Sequence, residues 1–277
     1  MDVELKKIHS VDLLMLKETI KIFEEHNLEY FLIGGTLLGA IRHKGFIPWD
    51  DDLDIGVPRA SYNVFIKKYA KELPNRYRLQ NYNTKSGSKY YISRIQDLNV
   101  QVKERRGADL STEYASIDLF PIDGTPNGKI RRNFFVNKVM FWRMIASFSQ
   151  SKNIDLNRKR NIFEKLLVYI ARILPFDSLL DTRKIYNRID ILLSKYSMEN
   201  SQVVGSLMGA YRKKELFSGE YVKRLTKVTF EDTEAYAPYE WDKYLKHMYG
   251  NYMEIPNRDE IERKRHFEIV RKNKESF

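Results

Sequence analysis

The sequence predicts an α/β (α+β) fold, with a mixed-sheet core over residues 1–128 and a mainly helical region over residues 129–277. Three observations carry this prediction. A short apolar run ends in two glycines and is followed by a helical pattern, and a second strand-like run alternates aspartates with aliphatic residues. Near residue 128 the periodicity changes from strand-like to helical.

The first elements follow from periodicity and from turn residues. A helix is expected over residues 11–27, with Ser10 as its N-cap. Residues 30–33, all apolar or aromatic, predict a buried strand, and the helical pattern over residues 37–42 begins directly after the glycines. Pro58 suits the first turn of a helix, which we expect to run to about residue 71.

The later elements divide into strands and then helices. Residues 90–95 and 100–102 predict a pair of strands, and residues 117–120 predict another. From residue 129 to about residue 195 the pattern is helical, with a polar interruption near residues 149–160. This change makes residue 128 the best candidate boundary.

An acidic cluster gives the most direct chemical signal. Aspartates stand at positions 50, 51, 52 and 54. If residues 52–55 form a strand, Asp52 and Asp54 share one face, because side chains alternate along a strand. Carboxylates so close cannot all stay ionised without a positive charge between them. Oxygen ligands suit hard cations, so the cluster predicts Mg²⁺ or Mn²⁺ as cofactor; a solvated acidic turn is the alternative.

The glycine segment before this cluster suits phosphate. Gly34, Gly35 and Thr36 connect the expected strand to a helix N-terminus, where backbone N–H groups and the helix dipole favour anions. Close packing of the backbone would also explain the glycines. Arg42 and Lys44 follow, and could add positive charge. An anion cradle, a basic cluster and metal-binding carboxylates together are what phosphoryl transfer requires.

The stretch from Gly34 to Arg59 resembles the LicD family (LicD/fukutin) of the nucleotidyltransferase-fold superfamily. The resemblance implies a nucleotidyltransferase-like mixed sheet and a third carboxylate on a later strand. The segment Ser116–Gly124 matches that strand, which makes Asp118 the candidate and leaves Asp123 to cap the following turn. Further similarity, over residues 230–266, adds Glu231 and His266 as substrate-binding candidates by resemblance only. It also implies that the segment from about 226 to 270 returns to the core and completes the active site.

The resemblance also implies an activity, that of a LicD-type phosphotransferase. Such an enzyme moves a phosphorylated alcohol (phosphocholine, or glycerol or ribitol phosphate) from a CDP-activated donor to a hydroxyl of a cell-surface glycan. Teichoic acid, capsule and lipopolysaccharide precursors are acceptors of this kind. Asp52, Asp54 and Asp118 would be the catalytic and metal-binding residues. Gly34, Gly35, Thr36, Arg42, Lys44, Glu231 and His266 would bind substrate.

Two other functions use the same residues differently. A nucleotidyltransferase in the narrow sense would move a nucleoside monophosphate to a small molecule or to RNA, with the same aspartates. The excess of 48 Lys and Arg over 37 Asp and Glu makes an RNA partner conceivable, but no RNA-binding motif stands out, so nucleic acid is not an expected partner. A non-catalytic glycan- or nucleotide-binding module is the other alternative, and the intact aspartates argue against it.

Composition sets the expected location. The sequence has no cysteine, which excludes disulfides and thiolate metal sites, and its net charge is +11. With no signal-peptide pattern and no apolar span, we expect a cytoplasmic protein, free or peripheral at the inner face of the membrane. The acceptor could be lipid-linked. Residues 134–145 and 163–174 mix aromatic, aliphatic and basic residues, and either pack as core helices or lie at a lipid interface.

Overall fold

The computed structural model describes residues 3–84, 88–104, 112–150, 169, 179–257 and 267–272. Within these residues six α-helices and ten β-strands form a mixed α/β fold, as the sequence predicts. The helices are α1 (Val3–Glu25), α2 (Gly34–His43), α3 (Arg59–Val64), α4 (Lys129–Phe148), α5 (Thr182–Leu193) and α6 (Trp241–Tyr249). A π-helical turn (Phe65–Tyr69) and a 3₁₀ turn (Ala70–Glu72) extend α3, and further 3₁₀ turns lie at Arg212–Glu215 and Gly219–Val222.

The strands lie in both halves of the chain. They are β1 (Phe31–Leu32), β2 (Asp54–Pro58), β3 (Tyr77–Gln80), β4 (Ser93–Glu104), β5 (Thr112–Gly124), β6 (Val203–Gly205), β7 (Leu216–Ser218), β8 (Leu225–Phe230), β9 (Thr233–Pro238) and β10 (Phe267–Lys272). Strands β6 to β10 all follow residue 128, so the region expected to be mainly helical also contributes strands to the fold.

The central sheet is mixed. Its order is β1-β2-β5-β4-β10, with β3 also paired to β4, and β6 and β7 continuing from β5. Strands β2 and β5 are parallel, whereas β1–β2, β4–β5 and β4–β10 are antiparallel. The hairpin β8–β9 forms a separate two-stranded sheet. The parallel pair at the centre is the part of the sheet that positions the candidate site.

Two hydrophobic clusters surround this sheet. The larger one joins α1, α2 and the central strands, and includes Leu16, Leu37, Leu53 and Ile117. The smaller one lies between α4 and α5, where one apolar stripe of each helix is buried against the other.

A buried ion-pair network ties the parallel strands to α5. Arg59, just after β2, donates from Nε and Nη2 to the two carboxylate oxygens of Asp123 in β5, at 2.6 and 2.8 Å. Its Nη1 donates to Asp190 Oδ1 of α5 at 2.8 Å, and Tyr91 Oη donates to the same oxygen. The prediction that Asp123 caps a turn is therefore wrong: the carboxylate lies within β5 and is held by a guanidinium.

Two other local predictions are wrong. Helix α1 begins at Val3 rather than after Ser10, because Leu5 and Ile8 extend its buried stripe by two turns; Ser10 Oγ donates to the Lys6 carbonyl inside the helix. The expected pair of strands at residues 90–95 and 100–102 is instead the single strand β4. Its pairing with β5 shifts between Asp97 and Gln101, which marks a β-bulge. Most residues of this bulge are polar, as turn residues commonly are, so the sequence resembles two strands joined by a turn.

Candidate active site

The parallel pair brings two distant carboxylates together. In the register of β2 and β5, Asp54 lies opposite Asp118. The Asp118 N–H donates to the Leu53 carbonyl at 2.9 Å, which fixes that register. Residues directly opposite in neighbouring strands project to the same face of the sheet. The two strands therefore place both carboxyl groups on one surface.

The other aspartates approach this pair from the loop before β2. Strand β2 begins at Asp54, so Asp50 and Asp52 lie in that loop and not in the strand that the sequence predicts. Both are close to the start of α2: a Cβ built on Gly35 would lie 2.6 Å from Asp50 Oδ2 and 4.0 Å from Asp52 Oδ1. A loop, rather than strand alternation, thus brings the carboxylates together.

The two glycines allow that close approach. A Cβ on Gly34 would lie 3.1 Å from Asp54 Oδ2, and the residue has φ +57°, a left-handed conformation that favours glycine. Helix α2 begins here, so the first N–H groups of the helix, which have no partner four residues earlier within it, lie near the acidic residues. The two glycines thus let the acidic side chains approach the helix N-terminus more closely than a Cβ would allow.

Burial and like charge dominate the electrostatics. Burial raises the pKa of Asp54 well above its ordinary value, and Asp52, Asp118, Asp50 and Glu215 raise it further by repulsion. Burial also raises the pKa of Asp118, against the opposing effect of Arg94. The Arg94 Nε lies 3.0 Å from Asp118 Oδ1. The charged groups that act on Asp54 are therefore all negative.

A divalent cation fits the donor chemistry of this site. The donors are carboxylate oxygens, which hard ions such as Mg²⁺ prefer, and Asp52, Asp54 and Asp118 are each partly exposed. In the described part of the chain, no group of three or more His, Cys, Asp or Glu side chains is already arranged as a metal-binding set. Asp52, Asp54 and Asp118 are the side chains that would hold such an ion.

Two further carboxylates lie behind the cluster. Asp51 is buried next to Asp52, and Asp12 of α1 is 2% exposed. Burial, followed by repulsion from Asp51 and Asp52, raises the pKa of Asp12 well above its ordinary value. On the same helix, His9 stacks on Phe46 and contacts the Asp50 carbonyl through Nε2 at 2.7 Å. Helix α1 thus supports the acidic loop from its buried side.

The residues expected to cradle phosphate have partners within the protein. Thr36 is buried, and its Oγ1 accepts the Asp54 N–H at 2.8 Å, so this hydroxyl positions the aspartate. The Gly34 N–H donates to Tyr244 Oη at 3.3 Å. The candidate cradle is therefore joined to both β2 and α6.

The basic candidates lie at the far end of α2. Arg42 donates from Nη1 to the carbonyls of Tyr252 and Glu254, at 2.8 and 3.2 Å. Lys44 caps the helix with φ +62° and is exposed. The structure thus uses Arg42 to hold the chain after α6, and does not bring Lys44 into the acidic cluster.

The two C-terminal candidates differ in placement. Glu231 lies in the turn of the β8–β9 hairpin with φ +53°. Its Oε1 accepts the Phe46 N–H at 3.0 Å, and its own N–H donates to the Lys44 carbonyl at 2.7 Å. It therefore fixes the loop that leads to the aspartates. His266 lies outside the described residues.

Several site residues were missed by sequence reasoning. Glu215 accepts the Tyr211 N–H at 2.6 Å, and burial raises its pKa to about 7. It ends the basic run Arg212-Lys213-Lys214, which is typical of a solvated loop and gives no signal of a site. Tyr249 Oη would lie 3.8 Å from a Cβ on Gly34. Burial raises the pKa of the Tyr244 and Tyr249 hydroxyls, so both stay protonated donors at neutral pH.

The mixed sheet, the glycine turn and the paired carboxylates on parallel strands are the features that the resemblance implies for a nucleotidyltransferase-type domain. Comparison with known proteins identifies its kind: residues 27–152 match the family described as LicD/FKTN/FKRP, nucleotidyltransferase domain. This match, with the similarity to a LicD protein over most of the chain, confirms the resemblance of the motifs to the LicD family and the expectation of a LicD-type enzyme.

The chain is also similar to individual proteins. The chain is 26% identical over 238 residues to the lipopolysaccharide cholinephosphotransferase LicD of Haemophilus influenzae, covering 84% of this chain and 85% of that protein. It is 51% identical over 43 residues to an uncharacterised protein of Rickettsia prowazekii, 16% of each chain. It is also 46% identical over 46 residues to human ribitol 5-phosphate transferase FKRP, which is 15% of this chain and 9% of that one.

Proposed function

We propose that this protein transfers a phosphorylated alcohol from a CDP-activated donor to a hydroxyl of a cell-surface glycan, with Mg²⁺ or Mn²⁺ as cofactor. The observation that carries the proposal is the meeting of Asp54 and Asp118 on parallel strands beside the Gly34–Gly35 helix N-terminus. Phosphocholine, glycerol phosphate and ribitol phosphate are the groups proposed, and a precursor of teichoic acid, capsule or lipopolysaccharide is the proposed acceptor.

The acidic cluster and the helix start have complementary roles. A divalent ion held by Asp52, Asp54 and Asp118 would neutralise the charge that develops on the departing nucleotide. The first turn of α2 favours an anion through its N–H groups and dipole, while the Tyr244 and Tyr249 hydroxyls lie close enough to Gly34 to donate to phosphate oxygens. Thr36 keeps Asp54 in position through the Asp54 N–H.

The proposed reaction is an in-line displacement at the outer phosphorus of the donor. A bond forms between the acceptor oxygen and this phosphorus, the bond to the bridging oxygen breaks, and CMP leaves with the electron pair. The proton of the acceptor hydroxyl passes to a carboxylate of the cluster or to water. Because the transition state of phosphoryl transfer is loose, positioning and charge neutralisation contribute more than a strong base.

The proposed acceptor also indicates where in the cell the protein works. Among the described residues, no helix has the length and apolarity needed to cross a bilayer. We propose that the protein works at the cytoplasmic face of the membrane, where a lipid-linked glycan precursor would be available to it.

A donor panel with product analysis tests the proposal. The protein is incubated with CDP-choline, CDP-glycerol or CDP-ribitol, Mg²⁺ and glycan acceptors, and CMP and the mass of the glycan are measured. The proposal expects one donor to release CMP and the glycan to gain the mass of the phospho-alcohol. A gain equal to a cytidylyl group would establish the narrow nucleotidyltransferase function instead. Binding of nucleotide or glycan with no turnover of any donor would indicate a non-catalytic module.

A further inference from the structure

Helix α4 has a second apolar stripe on the side away from its packing partner. Phe135, Val136 and Val139 are buried towards α5. Ile130, Phe134 and Phe141 are instead 86%, 75% and 52% exposed. Phe134 follows Ile130 by four positions, and Phe141 follows Phe134 by seven. At these spacings the three residues lie on one face of the helix. Large apolar side chains that share an exposed face mark a docking surface.

The charge of α4 is entirely positive. Its sequence contains Lys129, Arg131, Arg132, Lys138 and Arg143, and no aspartate or glutamate. Lys129, Arg131 and Lys138 are exposed next to the apolar stripe. An apolar stripe with flanking cations is the pattern of helices that lie in a membrane interface.

A second basic segment adjoins this helix. Lys213 Nζ donates to Asn137 Oδ1 at 2.8 Å, and Asn137 is exposed on α4 between Phe134 and Phe141. Arg212 and Lys214, the neighbours of Lys213, are exposed as well. We define the α4 surface as the apolar stripe together with the exposed cations of both segments: Ile130, Phe134, Phe141, Lys129, Arg131, Lys138, Arg212, Lys213 and Lys214.

The α4 surface is physically connected to the candidate active site. Arg143 of α4 donates to the carbonyls of Leu207 and Gly209, which fixes the segment that leads to Glu215. Tyr211 of the same segment contacts Tyr249 edge-on, with ring centroids 6.5 Å apart, and Tyr249 Oη would lie 3.8 Å from a Cβ on Gly34. A partner bound at the α4 surface would therefore lie beside the segment that borders the site.

We propose that the α4 surface docks on an anionic lipid bilayer, with Ile130, Phe134 and Phe141 at the boundary of headgroups and acyl chains. Charge complementarity selects this partner, because each Lys or Arg near an anionic leaflet is attracted to it. A second copy of the chain fits poorly, since a twofold contact would place each set of cations against the same set. Only the role of this contact depends on the proposed function: membrane docking would bring the active site to a lipid-linked acceptor.

Vesicle sedimentation tests the proposal without donor, metal or turnover, so its outcome is independent of the proposed reaction. The full chain is mixed with vesicles of phosphatidylcholine alone, or of phosphatidylcholine with phosphatidylglycerol. The stripe variant is I130S/F134S and the charge variant is R131Q/K138Q. The control is I191S, which removes one isoleucine side chain that is 65% exposed on α5, outside the α4 surface. Circular dichroism and thermal unfolding check that all variants fold.

The proposal expects wild-type protein to bind the phosphatidylglycerol vesicles and to be released by salt. The stripe variant should partition at least about tenfold less, the charge variant about fivefold less for each cation removed, and I191S as well as wild type. Absence of wild-type binding, or equal binding by the stripe variant, would overturn the proposal. So would a solution dimer that I130S/F134S splits, because the surface would then be an interface between copies.

Discussion

Asp54 and Asp118 lie opposite each other on the parallel strands β2 and β5, although a long stretch of sequence separates them. Antiparallel β4 continues the sheet beyond β5, and its Arg94 reaches back to Asp118. The site therefore depends on sheet register: a slip of one residue in β5 would turn Asp118 to the opposite face.

The two aspartates of β5 are expected to differ in activity. Asp118→Asn should lower CMP release by at least about a hundredfold, because even the partners of metal ligands contribute 10–100-fold. Asp123→Asn should stay within about tenfold of wild type at a temperature where it is folded, because Asp123 is held by Arg59 away from the cluster. Steady-state assays of the two variants make the comparison. A dispensable Asp118 with an essential Asp123 would mean that the third carboxylate is misassigned.

The same Asp123→Asn change is expected to lower stability. It leaves the buried guanidinium of Arg59 with one carboxylate partner fewer, and breaking a buried pair costs about 3–5 kcal/mol. Urea unfolding measures the loss of unfolding free energy. The control is Asp181→Asn: Asp181 caps α5 and is half exposed, and Asn caps a helix about as well as Asp. Equal stability of the two variants would argue against the Arg59 network as a structural tie.

Gly35→Ala is expected to lower activity about tenfold to a hundredfold, since displacement of a catalytic group by about 1 Å has effects of this size. The new Cβ would lie 2.6 Å from Asp50 Oδ2 and force the acidic loop to move. Gly128→Ala is the control. It meets no atom within 4 Å but has φ +88°, so it should cost about 1–3 kcal/mol of stability and leave activity unchanged. Wild-type kinetics for Gly35→Ala would show that the close approach of Asp50 to the glycine is not needed.

Much of the candidate site could be predicted from short-range sequence patterns. The other site residues are brought in by contacts between distant parts of the chain. The glycines and aspartates lie within one segment, so their spacing alone predicts that they meet. Asp118 could be identified only through the family resemblance, because nothing in the local sequence of β5 specifies its partner strand. Glu215 and Arg94 reach the site through tertiary packing, which a sequence of ordinary charged residues does not reveal. The polar residues of the β4 bulge resemble a turn, and only the pairing with β5 identifies them as part of one strand.

Glu215 is expected to make stability depend on pH. Burial raises its pKa from 4.5 to about 7, so the folded protein keeps this proton at pH values where the unfolded chain loses it. The group's stabilising contribution is complete below about pH 4.5 and is lost as the pH rises through about 7. Relative to Glu215→Gln, wild-type protein should thus lose up to about 3 kcal/mol of unfolding free energy between pH 4.5 and 8. Urea unfolding across that range measures it. A constant difference between the two proteins would contradict the assignment.

The central claim is that the aspartates around Gly34 and Gly35 form a divalent-cation-dependent phosphotransfer site. The most direct test is CMP release from the preferred CDP-alcohol during a Mg²⁺ titration, with wild-type protein, Asp54→Asn and the exposed-site control Asp181→Asn. The account predicts that wild type and the control release CMP only when Mg²⁺ or Mn²⁺ is added, and that folded Asp54→Asn loses nearly all release at every concentration. Undiminished release in excess chelator, or by Asp54→Asn, would contradict it.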